Sequence, residues 1–334
     1  MAQPDSASQG DESGGCLPRV TRSAREDQGV SRGRFAPSPT GRLHVGNLRT
    51  AIAAWLFARS EGSEFLLRFE DLDRATARLE HEDGQCRDLE ALGLSWDCDP
   101  IRQSDRLDRY EDALADLGRQ GLTYRCWCSR REIREAASAP HMPPGHYPGT
   151  CRNLTAREVA ERESSGKSPA LRLRTDAPDV DIVDRVHGPH REVVDDLVLR
   201  RGDGTPAYNL VVVVDDAAQA VEEVVRADDL LSSTPRHAHL FDLLGLPRPT
   251  WAHVPLVLAP DGDRLAKRHG SVTLSDRVAV GDTPGRVVAV LAASLGLAVP
   301  EVEVMPSDLI DRFSPDQIGL APWTLLPEGV NDRW

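Results

Sequence analysis

The chain has 334 residues, enough for two or three packed units, and 40% of them are hydrophobic. No apolar run approaches the roughly 18 residues of a membrane-spanning helix, so the composition excludes an integral membrane protein. The formal net charge of −13 argues against a blanket affinity for nucleic acid but leaves room for a local basic groove. The first 32 residues lack the apolar core of a signal peptide, so we expect a disordered tail and a cytoplasmic protein.

The stretch at residues 34–47, RFAPSPTGRLHVGN, predicts a short strand, a proline-rich turn and a helix that begins at His44. A helix start presents free N–H groups and a positive dipole end, which suit a phosphate group. Gly46 leaves bare backbone where a ligand could approach closely. The same pattern is also typical of an ordinary strand–helix turn with a surface histidine, so the pattern alone leaves both interpretations open.

Apolar stretches that alternate with helical patterns predict an α/β fold. Strands are expected at residues 64–73, 208–216 and 253–258. Helices are expected at residues 76–93, 105–120 and 283–296. The run at 208–216 is continuously apolar and ends in acids, which is typical of a central parallel strand buried on both faces.

The character of the sequence changes between residues 121 and 167, where a Pro/Gly-rich stretch and three cysteines predict a small inserted module. Residues 170–201 then alternate apolar and polar side chains, as short antiparallel strands do. The predicted architecture is therefore a doubly wound parallel sheet that is split by an insertion.

The cysteines of this module, Cys126, Cys128 and Cys151, favour a metal site over disulfides, because a long unsecreted chain has no need of a disulfide framework. The fourth ligand is open between Tyr147, His146 and His141, and generic ligand preference favours a histidine. The alternative is three reduced thiols in an ordinary loop.

Five stretches in order carry a resemblance: residues 34–47, 70–73, 208–216, 226–230 and 264–268. Together they resemble the catalytic core of glutamyl-tRNA synthetases, class I enzymes on a Rossmann fold, from about residue 33 to the C-terminus. The chain ends soon after the last stretch, without a large anticodon-binding region. This, with the cysteine module, resembles the short paralogues called glutamyl-queuosine tRNA(Asp) synthetases.

The resemblance implies ATP-dependent activation of L-glutamate to glutamyl-adenylate and its transfer to the queuosine base of tRNA(Asp), with release of AMP and pyrophosphate. Two alternatives stay open: a truncated glutamyl-tRNA synthetase that charges the tRNA 3′ end, and a non-catalytic tRNA-binding paralogue. The implied partners are L-glutamate, ATP and tRNA(Asp) carrying queuosine, with no membrane, and a monomer is expected.

The resemblance also assigns the nucleotide site. His44 and Asn47 match the first and last positions of the family's His-Ile-Gly-His signature, and Lys267 matches the second lysine of its Lys-Met-Ser-Lys-Ser loop. Asn47 departs from the family's histidine, and that loop is degenerate, yet it holds one of only two lysines in the chain. The implied catalytic residues are His44, Asn47 and Lys267, and the implied ATP-binding residues are His44, Gly46, Asn47 and Lys267.

Glutamate recognition needs a cation for the side-chain carboxylate and acceptors for the ammonium, and a planar guanidinium binds a carboxylate bidentately. By matching position, Arg34 and Arg226 are the cations and Glu70 is the partner of the ammonium. The implied glutamate-binding residues are Arg34, Phe35, Ala36, Pro37, Ser38, Glu70, Tyr208 and Arg226.

For the metal site the resemblance implies one structural Zn²⁺ ion held by Cys126, Cys128, Tyr147 and Cys151, and Mg²⁺ is expected with ATP. The implied units are a disordered tail (1–32), two Rossmann halves (33–112 and 205–260), a zinc-containing insertion (113–204), and a signature loop with a short helical region (261–334). Candidate tRNA contacts are Arg172, Arg174, Arg200, Arg201 and Arg268.

Overall fold

The structure, a computed structural model, describes residues 31–137, 146–263, 265 and 272–325. The strands are β1 (Arg32–Phe35), β2 (Glu64–Phe69), β3 (Ile101–Arg102), β4 (Thr123–Cys126), β5 (Ala170–Leu173), β6 (Asp179–Asp184), β7 (Gly188–Val193), β8 (Val198–Arg200), β9 (Glu223–Ala227), β10 (Thr250–Val254), β11 (Val257–Leu258) and β12 (Trp323–Thr324). The α-helices are α1 (Val45–Ser60), α2 (Leu79–Ala91), α3 (Leu107–Arg119), α4 (Arg130–Ala137), α5 (Ala156–Ser164), α6 (Tyr208–Ala218), α7 (Thr234–Leu243), α8 (Leu274–Ala279) and α9 (Pro284–Ala293). Short 3-10 helices lie at Gln103–Arg106, Asp228–Ser233, Pro306–Arg312 and Pro315–Gln317.

Within the described residues, the main sheet has seven strands in the order β3-β2-β1-β9-β10-β6-β7. All neighbouring pairs are parallel except β6 and β7, which form an antiparallel hairpin. The strand order runs outward in one direction from β1 and in the other from β9. The C-terminal edge between β1 and β9 is thus a topological switch point, where open α/β sheets place ligands.

Helices cover both faces of this sheet. The apolar residues of α1 pack with α9 in one core, and α3, α6 and α7 form a second core on the other face. Leu48, Ile52, Trp55 and Leu56, which form an apolar stripe on α1, are all buried in that first core. The predicted doubly wound α/β arrangement is confirmed.

One predicted strand is wrong. Residues 208–216 form the first turns of helix α6 rather than a central strand. A short apolar run cannot by itself distinguish a buried strand from a buried helix. Here α6 packs between α3 and α7, so its four valines are as buried as the valines of a central strand would be.

The predicted strand at residues 253–258 is also corrected. It is broken into β10, which lies in the main sheet, and β11, which pairs with β12. Pro255 stands at the break, because proline has no N–H for a ladder and restricts the residue before it.

Two strands from the range assigned to the insertion, β6 and β7, join the main sheet instead of the small one. The small antiparallel sheet consists of β5 flanked by β4 and β8. The short antiparallel strands expected at 170–201 are therefore present, but they divide between two sheets. None of the helices in the described part of the chain has both the length and the apolar character to cross a bilayer.

Candidate active site

A cavity of about 690 Å³ opens at the C-terminal ends of β1 and β9, at the switch point of the sheet. The turn after β1 forms one wall, and the end of β9 with the 3-10 helix that follows forms the other. The sequence-predicted residues on its lining are Arg34, Phe35, Ala36, Pro37, Ser38, His44, Asn47, Glu70, Tyr208 and Arg226. Residues that matched the glutamate and nucleotide sites thus share one cavity.

His44 is the N-cap residue of α1. Its Nδ1 atom accepts hydrogen bonds from the backbone N–H groups of Gly46 (3.1 Å) and Asn47 (3.3 Å). The side-chain oxygen of Asn47 accepts in return from the backbone N–H of His44 at 3.3 Å, which completes a capping box. The position where this chain departs from the family's histidine therefore has a local structural role.

Gly46 makes room for the His44 ring. A Cβ atom at this position would lie 2.9 Å from Cε1 of His44, closer than side chains tolerate. The absence of a side chain at residue 46 thus permits the ring orientation that the two hydrogen bonds to Nδ1 fix.

Arg34 is buried, and its guanidinium pairs with the carboxylate of Asp216, one of the two acids that end the apolar run at residues 208–216. Its Nε and Nη2 atoms donate to the two oxygens of Asp216 at 3.1 and 3.2 Å. Arg68, which is fully buried, donates to the same carboxylate at 2.7 Å. Although burial opposes the charged form, these two guanidinium groups lower the pKa of Asp216 to about 2.

Arg226 is also buried, but its surroundings differ. It donates to Nε2 of His253 (3.0 Å), to the hydroxyl groups of Thr234 (2.8 Å) and Tyr208 (3.3 Å), and it lies 3.2 Å from Nδ1 of His237. Within the described ranges, the hydrogen-bond partners of this guanidinium are all uncharged. The carbonyl oxygen of Leu230 completes the set.

Glu70 lies just beyond the end of β2, where Arg68 approaches its carboxylate at 3.9 Å. Burial raises the pKa of Glu70 to about 7, although Arg68 and Arg34 act in the opposite direction. Ser38 is exposed and lines the same cavity, and its neighbour Pro37 accepts a hydrogen bond from the backbone N–H of Glu70 at 3.0 Å. Carboxylate and hydroxyl thus face the cavity where an ammonium group would need acceptors.

A second cavity of about 560 Å³ adjoins the first and shares Ser38, Glu70 and Tyr208 with it. Its far wall includes Cys128 and Arg172, so it extends from the larger cavity to the cysteine module.

The three cysteines of the module come together as predicted. Their sulfur atoms lie within 4.8 Å of one another, and Cys128 and Cys151 are 3.6 Å apart. Two thiolates on one tetrahedral Zn²⁺ would be about 3.8 Å apart, so this spacing fits zinc. The hydroxyl of Tyr147 lies 3.3 Å from Sγ of Cys126 and 3.7 Å from that of Cys128.

Among the other candidates for the fourth ligand, His146 is turned toward Glu192, with 3.6 Å between Nε2 and the carboxylate. His141 lies outside the described residues. The donor set of three thiols and one phenol therefore fits a closed structural metal site, and the Tyr147 assignment stays a prediction.

The proposed tRNA contacts do not form one free basic face. Arg172 is buried and donates to the carbonyl of Asp196 at 2.7 Å, while its guanidinium stacks 3.6 Å over the Tyr147 ring. The other described candidates are already paired: Arg174 with the carbonyl of Arg152, Arg200 with Glu111 and Arg201 with Asp203. Arg172 is therefore corrected to a packing residue of the cysteine module.

The loop that holds Lys267 and Arg268 lies outside the described residues, but both of its described flanks reach the site. Leu265 is buried and lines the larger cavity. The carbonyl of Val272 accepts from the N–H of Val45 at 2.9 Å. The backbones of Thr273 and His44 pair with each other in an isolated antiparallel β-bridge. The start of α1 is thus joined through the backbone to the end of this loop.

Sequence reasoning missed several buried side chains behind the cavity, namely Arg68, Asp184, Asp216, His237 and His253. Asp216 had a signal, since two acids at the end of an apolar run are unusual in a core. The histidines and Asp184 had none, because only tertiary folding brings His253 on β10 and His237 on α7 to Arg226, and Asp184 on β6 to His253.

An open α/β sheet with a cavity and a capped helix start at its switch point is an arrangement that α/β enzymes use to bind nucleotides and other ligands. A family model described as "tRNA synthetases class I (E and Q), catalytic domain" matches residues 31–305. The chain therefore belongs to this class I tRNA synthetase family, whose members are ligases.

Individual relatives narrow the comparison. The glutamyl-Q tRNA(Asp) synthetase of Nocardia farcinica is 56% identical over 298 residues, which cover 89% of this chain and 94% of that protein. The protein of the same name from Cutibacterium acnes is 51% identical and covered to 85%. The glutamate–tRNA ligase of Geobacter sulfurreducens is 39% identical, but only 63% of it is covered.

Among solved structures, a glutamate tRNA ligase from Elizabethkingia meningosepticum in complex with its amino acid superposes with a TM-score of 0.74. It is 25% identical, and the match covers 89% of this chain and 67% of that one. This agreement supports the class I α/β fold with a mostly parallel sheet.

Proposed function

We propose that the protein activates L-glutamate with ATP and transfers the glutamyl group to the queuosine base of tRNA(Asp), releasing AMP and pyrophosphate. The observation that carries the proposal is the single cavity in which the capped start of α1 faces Glu70 and Arg226. Both halves of an adenylation site thereby meet at the switch point. The names and full-length coverage of the relatives support the choice of acceptor.

In the first step, a carboxylate oxygen of glutamate attacks the α-phosphorus of ATP, and the bond from that phosphorus to pyrophosphate breaks. Such a transfer depends on positioning and charge neutralisation more than on covalent help from the protein. The start of α1 directs its positive dipole end toward the phosphates, with the side chains of His44 and Asn47 at the opening. Lys267 would neutralise charge on the leaving pyrophosphate.

The amino acid is held by opposite charges at its two ends. Arg226 takes the side-chain carboxylate, because it is a buried cation whose described partners are uncharged. Arg34 supports that wall while paired with Asp216. Glu70 accepts from the ammonium, with Ser38 beside it.

In the second step, a hydroxyl of the queuosine diol attacks the activated carbonyl, an ester forms and AMP leaves. The smaller cavity adjoins the first at Ser38, Glu70 and Tyr208, so an acceptor can approach from the side of the cysteine module. The bases of an anticodon loop are unstacked, so a protein can recognise them without having to read the grooves of an RNA helix.

Two metals accompany this proposal. Cys126, Cys128, Cys151 and Tyr147 would hold one Zn²⁺ that stabilises the module, and Mg²⁺ would accompany the triphosphate. We place the zinc-containing unit within residues 113–204, without the hairpin of β6 and β7 that belongs to the main sheet.

The test measures two reactions separately. Glutamate-dependent ATP–pyrophosphate exchange is assayed without tRNA, and labelled glutamate is then offered to tRNA(Asp) with and without queuosine and to tRNA(Glu). We expect exchange without tRNA and label only on queuosine-containing tRNA(Asp). Absence of exchange would refute the enzyme itself, whereas label on the 3′ end of tRNA(Glu) would show a truncated glutamyl-tRNA synthetase.

A further inference from the structure

Arg226 poses an electrostatic problem that the fold must solve. A buried cation without a carboxylate partner is costly and needs acceptors in fixed places. Within the described ranges, the acceptors around its guanidinium include two histidine rings, at 3.0 and 3.2 Å. A histidine accepts only through an unprotonated ring nitrogen, so the tautomer of each ring decides whether it attracts or repels Arg226.

The tautomer of His253 is set by Asp184. Nδ1 of His253 lies 2.6 Å from Oδ2 of Asp184, and both side chains are fully buried. Because a carboxylate accepts, Nδ1 carries the proton and Nε2 presents its lone pair to the Nε–H of Arg226. Burial lowers the pKa of His253 to about 4, which keeps the ring neutral at physiological pH.

His237 has the same arrangement on the other side. Its Nε2 atom lies 2.9 Å from the side-chain oxygen of Asn209, which accepts, so Nδ1 is the acceptor that faces Arg226. Burial, followed by the charge of Arg226, holds the pKa of His237 well below its ordinary range. Two neutral rings thus hold the guanidinium without cancelling its charge.

We propose that Asp184 and His253 are positioning residues for glutamate selection: Asp184 fixes the His253 tautomer, and His253 orients Arg226 toward the side-chain carboxylate of the amino acid. The proposal rests on the proposed function for the identity of the ligand. Its consequence is that a charged side chain on the amino acid is required, because the histidines leave the full charge of Arg226 for the ligand to neutralise. An amide in place of that carboxylate would leave the positive charge of Arg226 without a negative partner.

Asp184→Asn provides a sharp test, because the rest of the site dictates how the new amide must point. Oδ1 of Asp184 accepts from three backbone N–H groups, those of Val186 (3.0 Å), His187 (2.9 Å) and His253 (3.2 Å). The asparagine carbonyl has to take that position, so its NH2 group faces Nδ1 of His253. The ring must then move its proton to Nε2, which points at Arg226 and repels it.

A matched pair at His253 separates positioning from stability. His253→Gln can place an amide oxygen near the original Nε2, whereas His253→Leu has similar bulk and no acceptor. Both variants lose the bond to Asp184, so a loss of stability alone affects them alike. His239→Leu, on α7 and outside this network, is the control for removal of an imidazole.

Two readouts are used on the full chain. The first is the KM for glutamate in ATP–pyrophosphate exchange, which we expect to rise at least about tenfold in His253→Leu and Asp184→Asn but to stay within about threefold in His253→Gln. The KM for ATP should not change in any variant. The second is ¹⁵N NMR of the imidazole and of the Arg226 Nε–H, with the His253 signals assigned from their loss in His253→Gln.

The two readouts keep the outcomes apart. We expect Nδ1 to be protonated in the parent and Nε2 in Asp184→Asn, and the Arg226 Nε–H signal to persist in His253→Gln but not in His253→Leu. An unchanged tautomer in Asp184→Asn, or equal glutamate KM values for His253→Leu and His253→Gln, would overturn the inference. A parent protein that shows these NMR signatures but no exchange would instead refute the proposed function and leave the positioning of Arg226 supported.

Discussion

Three charged side chains line the larger cavity, and each has different electrostatic surroundings. Arg34 shares Asp216 with Arg68, so its charge is largely met within the protein. Arg226 has neutral described partners, and its charge is available to a ligand. Glu70 is the opposite case, because burial disfavours its ionised form and raises its pKa to about 7. The pocket is thus poised to gain a carboxylate at one end and an ammonium at the other.

The raised pKa of Glu70 predicts a pH dependence of glutamate capture. Below pH 7 the free enzyme holds Glu70 protonated and loses the acceptor for the ammonium, so kcat/KM for glutamate in exchange should rise with pH and level off above an apparent pKa near 7. Glu70→Gln should lower kcat/KM and abolish this inflection. At saturating glutamate the ammonium stabilises the carboxylate, so kcat/KM for ATP should lack it. The same inflection in Glu70→Gln would assign it to another group.

These residues also show how much of the candidate site can be predicted from the sequence. The resemblance assigned His44 to the nucleotide site and Glu70 and Arg226 to the glutamate site, and the structure brings all three to one cavity. Their partners were not predictable in the same way, because His253 and Asp184 lie 27 and 69 positions away from the residues they contact. Nothing in a local pattern encodes such pairings.

Helix α1 illustrates how one element serves both folding and chemistry. Its first turn is closed by the reciprocal bonds of His44 and Asn47, and its buried face anchors it in the core beside α9. The first N–H groups of α1 are already bonded within the fold, so we propose that its positive dipole end is what faces the phosphates of ATP. Helix α6 shows how a local pattern can mislead. Its valines favour a strand by propensity, but tertiary packing overrides that preference and the segment is helical.

Substitutions at Asn47 should separate the cap from the chemistry. Asn47→Asp keeps the oxygen that accepts from His44 N–H, so stability should be retained, whereas Asn47→Ala should lose about 1 kcal/mol of unfolding free energy. The order for glutamate-dependent exchange should be reversed, because Asp adds a negative charge beside the phosphates and Ala adds none. We expect a rate loss of at least about tenfold for Asp and a smaller one for Ala. If exchange rates instead follow stability in urea unfolding, Asn47 acts only as a cap.

The molecule as a whole is organised around contacts between segments that the sequence places in different units. The hairpin of β6 and β7 falls in the range assigned to the insertion, yet β6 pairs with β10 through Asp184 and Trp251. That pairing brings Asp184 to His253 and so connects the hairpin to Arg226. Alternating side chains predicted the strands but not the sheet that they join, because alternation fixes a face and not a neighbour.

Among its described residues, the cysteine module has little apolar core of its own: its buried cluster consists of Tyr124, Cys126, Tyr147 and Cys151. A unit this small needs a metal or another covalent constraint to stay folded. The larger cavity, by contrast, is built on the main sheet, and of the two cavities only the smaller one reaches Cys128. Loss of the metal should therefore affect the module and the approach of tRNA more than the activation of glutamate.

We expect the purified protein to contain about one zinc per chain and Cys151→Ser to lose it, because three thiolates and a phenol complete a tetrahedral set. Cys98→Ser is the matched control, since Cys98 is exposed and outside the cluster. Metal analysis measures the content, and limited proteolysis should cut Cys151→Ser, but not Cys98→Ser, within residues 126–165. Exchange without tRNA should fall less in Cys151→Ser than transfer to tRNA(Asp). Equal zinc content in the two variants would show that these thiols do not hold the metal.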